Sequence, residues 1–219
     1  MKHDLLVLTM AVIVVALTCP TDAVTSTFNT GFDGWTDVPG ETTSLSWRVT
    51  GGNPGGYIRN YDSGPTSGNI IAPSEFLGDW SSIEGSGELT WDFNMFNPGV
   101  GRVGPLKAYI YGPGGQASFS SGSNPPVNAW ITLTAPIEES SWYVSSGTWS
   151  DLISNITELR LMIENVYSTG GGETTGIDNV FLTTRTLPPG PSTVPAPGAI
   201  LLGTLGAAMV GWMRQRKTL

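Results

Sequence analysis

Clusters of glycine, proline and asparagine divide the middle of this chain into short segments. The 219 residues include 29 Gly and 16 Pro, and such clusters occupy residues 51–56, 97–99, 112–115 and 170–172. These residue types favour turns, because Gly reaches positive φ and Pro fixes φ. No segment between the clusters has a sustained helical period of apolar residues, so the pattern predicts strands joined by turns.

Three segments alternate apolar and polar side chains, as strands do when one face is buried: residues 88–95, 129–135 and 158–164. In the first, four apolar side chains share one face because successive side chains of a strand point to opposite sides. These four are Leu89, Trp91, Phe93 and Met95. Further strands are expected at residues 44–50, 57–61, 107–111 and 177–183.

One short helix is expected at residues 149–155, with Ser150 able to cap its start. The many short strands predict an all-β fold consisting of a single jelly-roll or β-sandwich domain, over residues 24–186.

The N-terminal residues 1–23 are typical of a secretory signal peptide. Lys2 and His3 precede an apolar run of suitable length, and the small residue Ala23 marks a cleavage site. A transmembrane anchor is the alternative, although the run is short for one. A lipoprotein would require acylation of Cys19, and the residues before it fit that motif poorly. We expect export through Sec-type machinery.

The C-terminal region has three parts. Residues 187–198 are rich in proline and predict a stiff, extended linker. Residues 199–219 predict a transmembrane helix with a basic tail, and its uncharged part spans about 22 Å as a helix. Since a bilayer core is roughly 30 Å thick, Trp212 and the basic residues would have to help it span.

This tail resembles the PEP-CTERM sorting signal of Gram-negative bacteria. The resemblance rests on Val194, Pro195 and Pro197, a glycine-containing apolar segment, and the terminal basic cluster Arg214, Arg216 and Lys217. Ala196 departs from the commonest form, which has Glu between the prolines. The resemblance implies processing by a membrane exosortase and a location in the cell envelope, at the surface or in extracellular polymer. A plain single-span anchor is the alternative.

The positions of the rare residues exclude several kinds of chemistry. The only Cys and the only His are Cys19 and His3, so cleavage of the signal peptide would remove both. The mature protein would then have no Ser-His-Asp triad, Cys nucleophile, disulfide or His/Cys zinc site. The net charge of −8 argues against nucleic acid as a partner.

The middle of the chain resembles the laminin IV domain, a jelly-roll module of extracellular matrix proteins. The similar segments, in order, are residues 52–58, 72–82, 87–92 and 149–161. No cysteine-rich modules flank them here. The resemblance implies a binding or structural module with no catalytic residues.

Oxygen-bearing side chains near the two ends of the domain form a candidate calcium site: Asn29, Asp33 and Asp178. The first and last strands of jelly rolls commonly lie close together, and calcium prefers oxygen ligands. The Ile-Asp-Asn-Val segment at residues 177–180 also resembles galactose-binding-like modules, in which such an Asp often ligates structural calcium. Ordinary turn and backbone hydrogen bonds are the alternative. No other cofactor is expected.

A second candidate site is a platform for polysaccharide. Alternation places Tyr109 and Tyr111 opposite Ile110, Trp130 opposite Ile131, and Asp92 and Asn94 opposite their apolar neighbours. If those strands share a sheet, the rings and polar groups would form one sugar-binding face. The alternative is that the aromatic residues only stabilise the sheet.

No pair of carboxylates suits a glycosidase, because Glu138 and Glu139 are adjacent and would point to opposite faces of a strand. We therefore expect a protein that is not an enzyme. It would be a structural or adhesive component of the surface, with a carbohydrate-binding module as the alternative.

Overall fold

A computed structural model of the chain describes residues 23–41, 44–62, 68–99, 102–164, 166–167 and 172–184. These residues form a β-sandwich of two antiparallel sheets with one short helix. The strands are β1 (Val24–Ser26), β2 (Thr36–Asp37), β3 (Ser44–Gly52), β4 (Gly55–Asp62), β5 (Gly68–Ile71), β6 (Gly87–Asn97), β7 (Arg102–Val103), β8 (Lys107–Gly112), β9 (Gly115–Ser120), β10 (Trp130–Pro136), β11 (Tyr143–Gly147), β12 (Glu158–Glu164), β13 (Val166–Tyr167) and β14 (Glu173–Thr184). The all-β sandwich expected from the alternating pattern is confirmed.

The first sheet has the strand order β10-β6-β14-β4-β3, and β1 also pairs with β14. The second sheet has the order β11-β9-β8-β12-β5-β2. Every pairing within these sheets is antiparallel, and β7 and β13 form a separate two-stranded pair. Strands that are neighbours in sequence therefore often lie in different sheets.

The hydrophobic core lies between the two sheets and is supplied by the predicted inward faces. The four apolar residues of β6 named above are all fully buried, and Leu159 and Leu161 of β12 meet them from the opposite sheet. Trp91 of β6 contacts Phe119 of β9 edge-on, with ring centroids 6.2 Å apart. Burial of each such side chain contributes about 1.5–3 kcal/mol of hydrophobic stabilisation.

The α-helix α1 spans Trp149–Ile153 and buries Trp149, Leu152 and Ile153. Its N-cap is Thr148 rather than Ser150: the Thr148 hydroxyl accepts a hydrogen bond from the Asp151 backbone N–H at 3.3 Å. Ser150 lies inside the first turn, where its backbone is already helical and cannot act as the cap.

The sorting elements predicted at the two ends lie outside the described residues. These are the signal segment up to residue 22 and everything beyond residue 184, including the linker and the C-terminal helix. Within the part of the chain that the structure describes, no helix is long and apolar enough to cross a membrane.

Candidate functional site

A groove runs over the outer face of the second sheet, on strands β8, β9 and β11. Along β8, Ala108 and Ile110 are fully buried in the core, so the alternate residues Tyr109 and Tyr111 face outward. The groove has a volume of about 260 Å³. We call it the tyrosine groove. It is lined by Lys107, Tyr109, Tyr111, Gln116, Ala117, Ser118, Tyr143 and Ser145.

The strand register explains why a groove forms there. Ser118 of β9 lies directly opposite both Tyr109 of β8 and Tyr143 of the edge strand β11. A small side chain therefore lies between two large ones in one row across the sheet. Since neighbouring strands are about 4.8 Å apart, the two tyrosines arise roughly 10 Å from each other. The result is a polar floor with an aromatic wall on each side.

The two tyrosines of β8 form one wall of the groove. Their ring centroids are 6.5 Å apart and the ring planes differ by 23°. On the far side, the Arg160 guanidinium lies 5.0 Å from the centroid of the Tyr111 ring and forms an ion pair with Glu158. Partial burial raises the pKa of Tyr111, and the Arg160 charge opposes that rise. The Tyr111 phenol is therefore neutral at physiological pH.

The other three residues of the predicted sugar platform lie on the first sheet, so the single five-residue face is wrong. Asp92 and Asn94 belong to β6 and Trp130 to β10, strands that pair with each other and not with β8. Alternation correctly predicts which way a side chain points along its own strand. It does not predict which strand lies alongside, and β8 pairs with β9 and β12.

Asp92 is buried in a hydrogen-bond network instead of facing solvent. It accepts hydrogen bonds from the Thr132 hydroxyl at 2.6 Å, the Asn179 amide at 2.8 Å and the Asn53 amide at 3.1 Å. Asn179 reaches this position because it lies in a bulge of β14 with a positive φ of 47°, a conformation that Asn tolerates better than most residues.

Trp130 belongs to an aromatic cluster on the outer face of the first sheet. Its ring contacts those of Tyr57 and Phe96 edge-on, at centroid distances of 5.6 and 5.7 Å, and its indole N–H donates to the Gly51 carbonyl at 3.2 Å. A Cβ on Gly176 would lie 2.8 Å from the Tyr57 ring and 2.9 Å from the Phe96 ring. A glycine at position 176 leaves room for the Tyr57 and Phe96 rings to lie against the sheet. Packing against these two rings explains the position of Trp130, so a ligand is not needed to explain it.

Two of the three candidate calcium ligands contact the turn between β3 and β4. The Asp178 carboxylate accepts a hydrogen bond from the Asn53 backbone N–H at 2.6 Å, and the Asn29 side-chain oxygen accepts one from Gly56 at 3.3 Å. Asp33 accepts a hydrogen bond from the Phe28 backbone N–H at 2.8 Å. The first and last strands, β1 and β14, are paired, as the prediction required.

The donor set suits a hard cation in composition. Burial is the main cause that raises the pKa of Asp178 to about 6; hydrogen bonds from two backbone N–H groups oppose the rise, and the charges of Asp92 and Asp33 contribute to it. A cation there would offset this crowding of carboxylates. Among the described residues, however, no group of three or more His, Cys, Asp or Glu side chains is arranged to hold a metal ion. A calcium ion would thus depend on Asn29 and backbone carbonyls as well.

The sequence analysis did not predict strands β9 and β11, which contribute Gln116, Ala117, Ser118, Tyr143 and Ser145 to the tyrosine groove. A weak signal was present, because Ala117 and Phe119 pack inward and alternate with polar neighbours in β9. Val144 likewise separates Tyr143 from Ser145. Both strands are short and follow turns, so their apolar residues are too few to attract attention.

No protein-family model matches this chain, and neither does any curated protein. Among solved structures, the family 11 carbohydrate-binding module of the cellulase Lic26A-Cel5E from Clostridium thermocellum is 19% identical, with a TM-score of 0.48, over 74% of this chain and 94% of that one. The agarase AgWH50C is 10% identical, with a TM-score of 0.52, over 74% of this chain and 24% of that one. The L4b domain of human laminin alpha-2 is 10% identical, with a TM-score of 0.45, over 70% of this chain and 97% of that one.

At identities this low, the likeness concerns the fold alone. The agarase match supports the β-sandwich described above, and this chain spans about a quarter of that enzyme. Membership of the laminin IV family stays a prediction.

Proposed function

We propose that this domain is a non-catalytic module that binds carbohydrate in the tyrosine groove. The observation that carries the proposal is the row Tyr109–Ser118–Tyr143, in which two aromatic walls flank a small polar floor. Tyrosine rings stack on the apolar faces of sugar rings, and hydroxyl and amide groups orient the sugar hydroxyls. Such a surface suits a length of glycan chain lying along β9.

The composition of the lining argues for binding rather than cleavage. Among the described residues, the lining of the groove consists of phenols, hydroxyls, one carboxamide, one amine and Ala117, with no carboxylate. Most glycosidases use two carboxylates placed on either side of the scissile bond. The groove can therefore hold and orient a glycan but does not supply that chemistry.

A glycan array probed with the full chain, exported under its own signal segment and purified in mild detergent, tests the proposal. Tyr143 is the best position to change because its side chain is 73% exposed, so its removal leaves the core intact. We expect Tyr143→Ala to weaken glycan binding about tenfold, which corresponds to ~1.4 kcal/mol. Tyr61→Ala is the matched control, since Tyr61 is an exposed tyrosine on the first sheet. If the folded protein binds no glycan, the proposal fails, and a structural role with protein partners is favoured.

For the cellular role we propose an adhesive component of the cell surface or extracellular polymer. The terminal segments described in the sequence support export by Sec-type machinery, transient anchoring in the membrane and processing by an exosortase-like enzyme. Measurement of the intact mass of the protein from its native host tests this part. Loss of residues 212–219 supports processing, and their retention refutes it.

A structural calcium ion is a further part of the proposal. Asn29, Asp33 and Asp178 would hold it beside the β3–β4 turn of the first sheet, whereas the tyrosine groove lies on the second sheet. Such an ion would fix the turn to the first and last strands, and its effect would be on stability rather than on recognition.

A further inference from the structure

Among the described residues that line the tyrosine groove, Lys107 is the one with a charged side chain. It lies at the start of β8, opposite Ser120 of β9, and it is partly exposed. The chain as a whole carries a net charge of −8, so a lone cation in a groove without carboxylates is unusual for this surface. Lys107 forms no ion pair with any carboxylate of the described residues.

The nearest cation on the neighbouring strand is already engaged. Arg160 of β12 is ion-paired with Glu158 and covers the Tyr111 ring. The Glu41 carboxylate also acts on Arg160 and Tyr111 electrostatically. Two carboxylates therefore offset the positive charge of Arg160 on the β12 side of the tyrosine wall, whereas on the groove side Lys107 is not ion-paired with any described carboxylate.

The position of Lys107 relates this charge to the proposed glycan path. Lys107, Tyr109 and Tyr111 are alternate residues of one strand, so they follow each other at intervals of about 7 Å along the outer face. A glycan lying against the tyrosines would extend past the lysine amine at one end of the row. A neutral sugar would offer the amine only hydroxyl groups, whereas a carboxylate or sulfate would form a charge-assisted hydrogen bond with it.

We propose that the tyrosine groove selects an anionic glycan, and that Lys107 contacts the carboxylate or sulfate group of that glycan. This inference rests on the proposed carbohydrate-binding function and specifies its ligand class. The tyrosines supply contact with the sugar rings, and the lysine discriminates between charged and neutral chains.

Isothermal titration calorimetry on the full chain in mild detergent tests the inference. The probes are an oligogalacturonate, a sulfated dextran oligomer and the neutral xylohexaose. We expect at least one anionic probe to bind at least tenfold more tightly than xylohexaose, and its affinity to fall as salt increases. Tight binding of the oligogalacturonate alone identifies a uronate ligand, and tight binding of the sulfated dextran alone identifies a sulfated ligand. Both outcomes support the inference.

Three variants separate charge from shape. Lys107→Met keeps the aliphatic stem but removes the charge, and we expect it to lower anionic affinity about tenfold or more while leaving neutral affinity unchanged. Lys107→Arg should retain most of the affinity. Arg48→Met removes an exposed cation from β3 of the first sheet, so it changes the net charge equally and should have no effect.

The outcomes also separate this inference from the proposed function. Equal binding of neutral and anionic probes, unchanged in Lys107→Met, overturns the inference but leaves carbohydrate binding in place. Absence of binding to every probe by folded protein overturns both. Circular dichroism of each variant establishes that it is folded.

Discussion

Replacement of Glu164 by Gln should make the stability of the domain less sensitive to alkaline pH. Glu164 of β12 is fully buried and faces two more buried carboxylates, Asp62 of β4 and Glu173 of β14. The Asn60 amide donates a hydrogen bond to Glu164 at 2.8 Å, and Glu164 also shares a hydrogen bond with the Asp62 side chain. Burial, and next the negative charge of Asp62, raise the pKa of Glu164 from 4.5 to about 8.

The sign of the effect follows from proton binding. Because the folded state holds this proton more tightly than the unfolded state, the stabilising contribution is complete below pH 4.5 and is lost as pH rises towards 8. At about 1.4 kcal/mol for each pKa unit, the rise from 4.5 to about 8 corresponds to at most about 5 kcal/mol. That loss is a large fraction of the free energy of unfolding of a typical domain.

The free energy of unfolding can be measured by urea unfolding, followed by tryptophan fluorescence and repeated across a pH series. The wild type should lose several kcal/mol of unfolding free energy between acidic and alkaline pH. Glu164→Gln keeps the shape and the acceptor for Asn60 but cannot ionise, so most of that loss should disappear. Glu139→Gln is the control, because it removes the same charge from an exposed turn. Equal pH slopes for the wild type and Glu164→Gln would show that the Glu164 pKa is not raised in the folded protein.

Two further predictions concern the β3–β4 turn and its surroundings. Gly55→Ala should destabilise the domain by about 2–4 kcal/mol, because Gly55 has φ +97° and a Cβ there would lie 2.1 Å from the Asn29 side-chain oxygen. Gly40→Ala, at φ +90° with open space around it, should cost only about 1–2 kcal/mol; equal losses in thermal unfolding would exclude the steric contact. Calcium should raise the Tm of the wild type and a chelator should lower it, whereas the Tm of Asp178→Asn should respond to neither. If the wild-type Tm does not change with calcium or chelator, the calcium site is excluded.

Much of the fold could be predicted because the hydrophobic pattern determines which face of each strand is buried. The alternation in residues 88–95 predicts the inward residues of β6 correctly, since burial of Trp91 and Phe93 between the sheets is the main stabilising contribution there. The sequence also predicts the short helix, but the helix ends at Ile153 rather than at residue 155, and its cap is Thr148 rather than Ser150.

The site was harder to predict because alternation contains no information about strand neighbours. Tyr109 and Trp130 both alternate with core residues, yet they lie on opposite sheets. Asp92 was expected to face solvent, and it is buried because the β3–β4 turn brings Asn53 over it. Both features depend on contacts between residues distant in sequence, which a local pattern does not specify.

The glycine-rich turn at residues 52–56 illustrates the same limit. As a sequence it predicts a turn and little else. In the structure a Cβ on Gly52 would lie 2.5 Å from the Asp178 carboxylate, and one on Gly56 would lie 2.2 Å from the Phe28 carbonyl. These glycines are required by close approach to the first and last strands, rather than only by the turn itself.

Hydroxyl-radical footprinting of the full chain, with and without the glycan that binds most strongly in the array, shows whether the tyrosine groove is the glycan-binding site. The method reports the accessibility of tyrosine and tryptophan side chains by mass spectrometry. If the tyrosine groove is the binding site, oxidation of Tyr143 and Tyr109 should fall on glycan binding, while oxidation of Tyr61 and Trp130 on the first sheet should not change. Protection of Trp130 with no change at Tyr143 would exclude the tyrosine groove as the binding site and place the site on the opposite face of the sandwich.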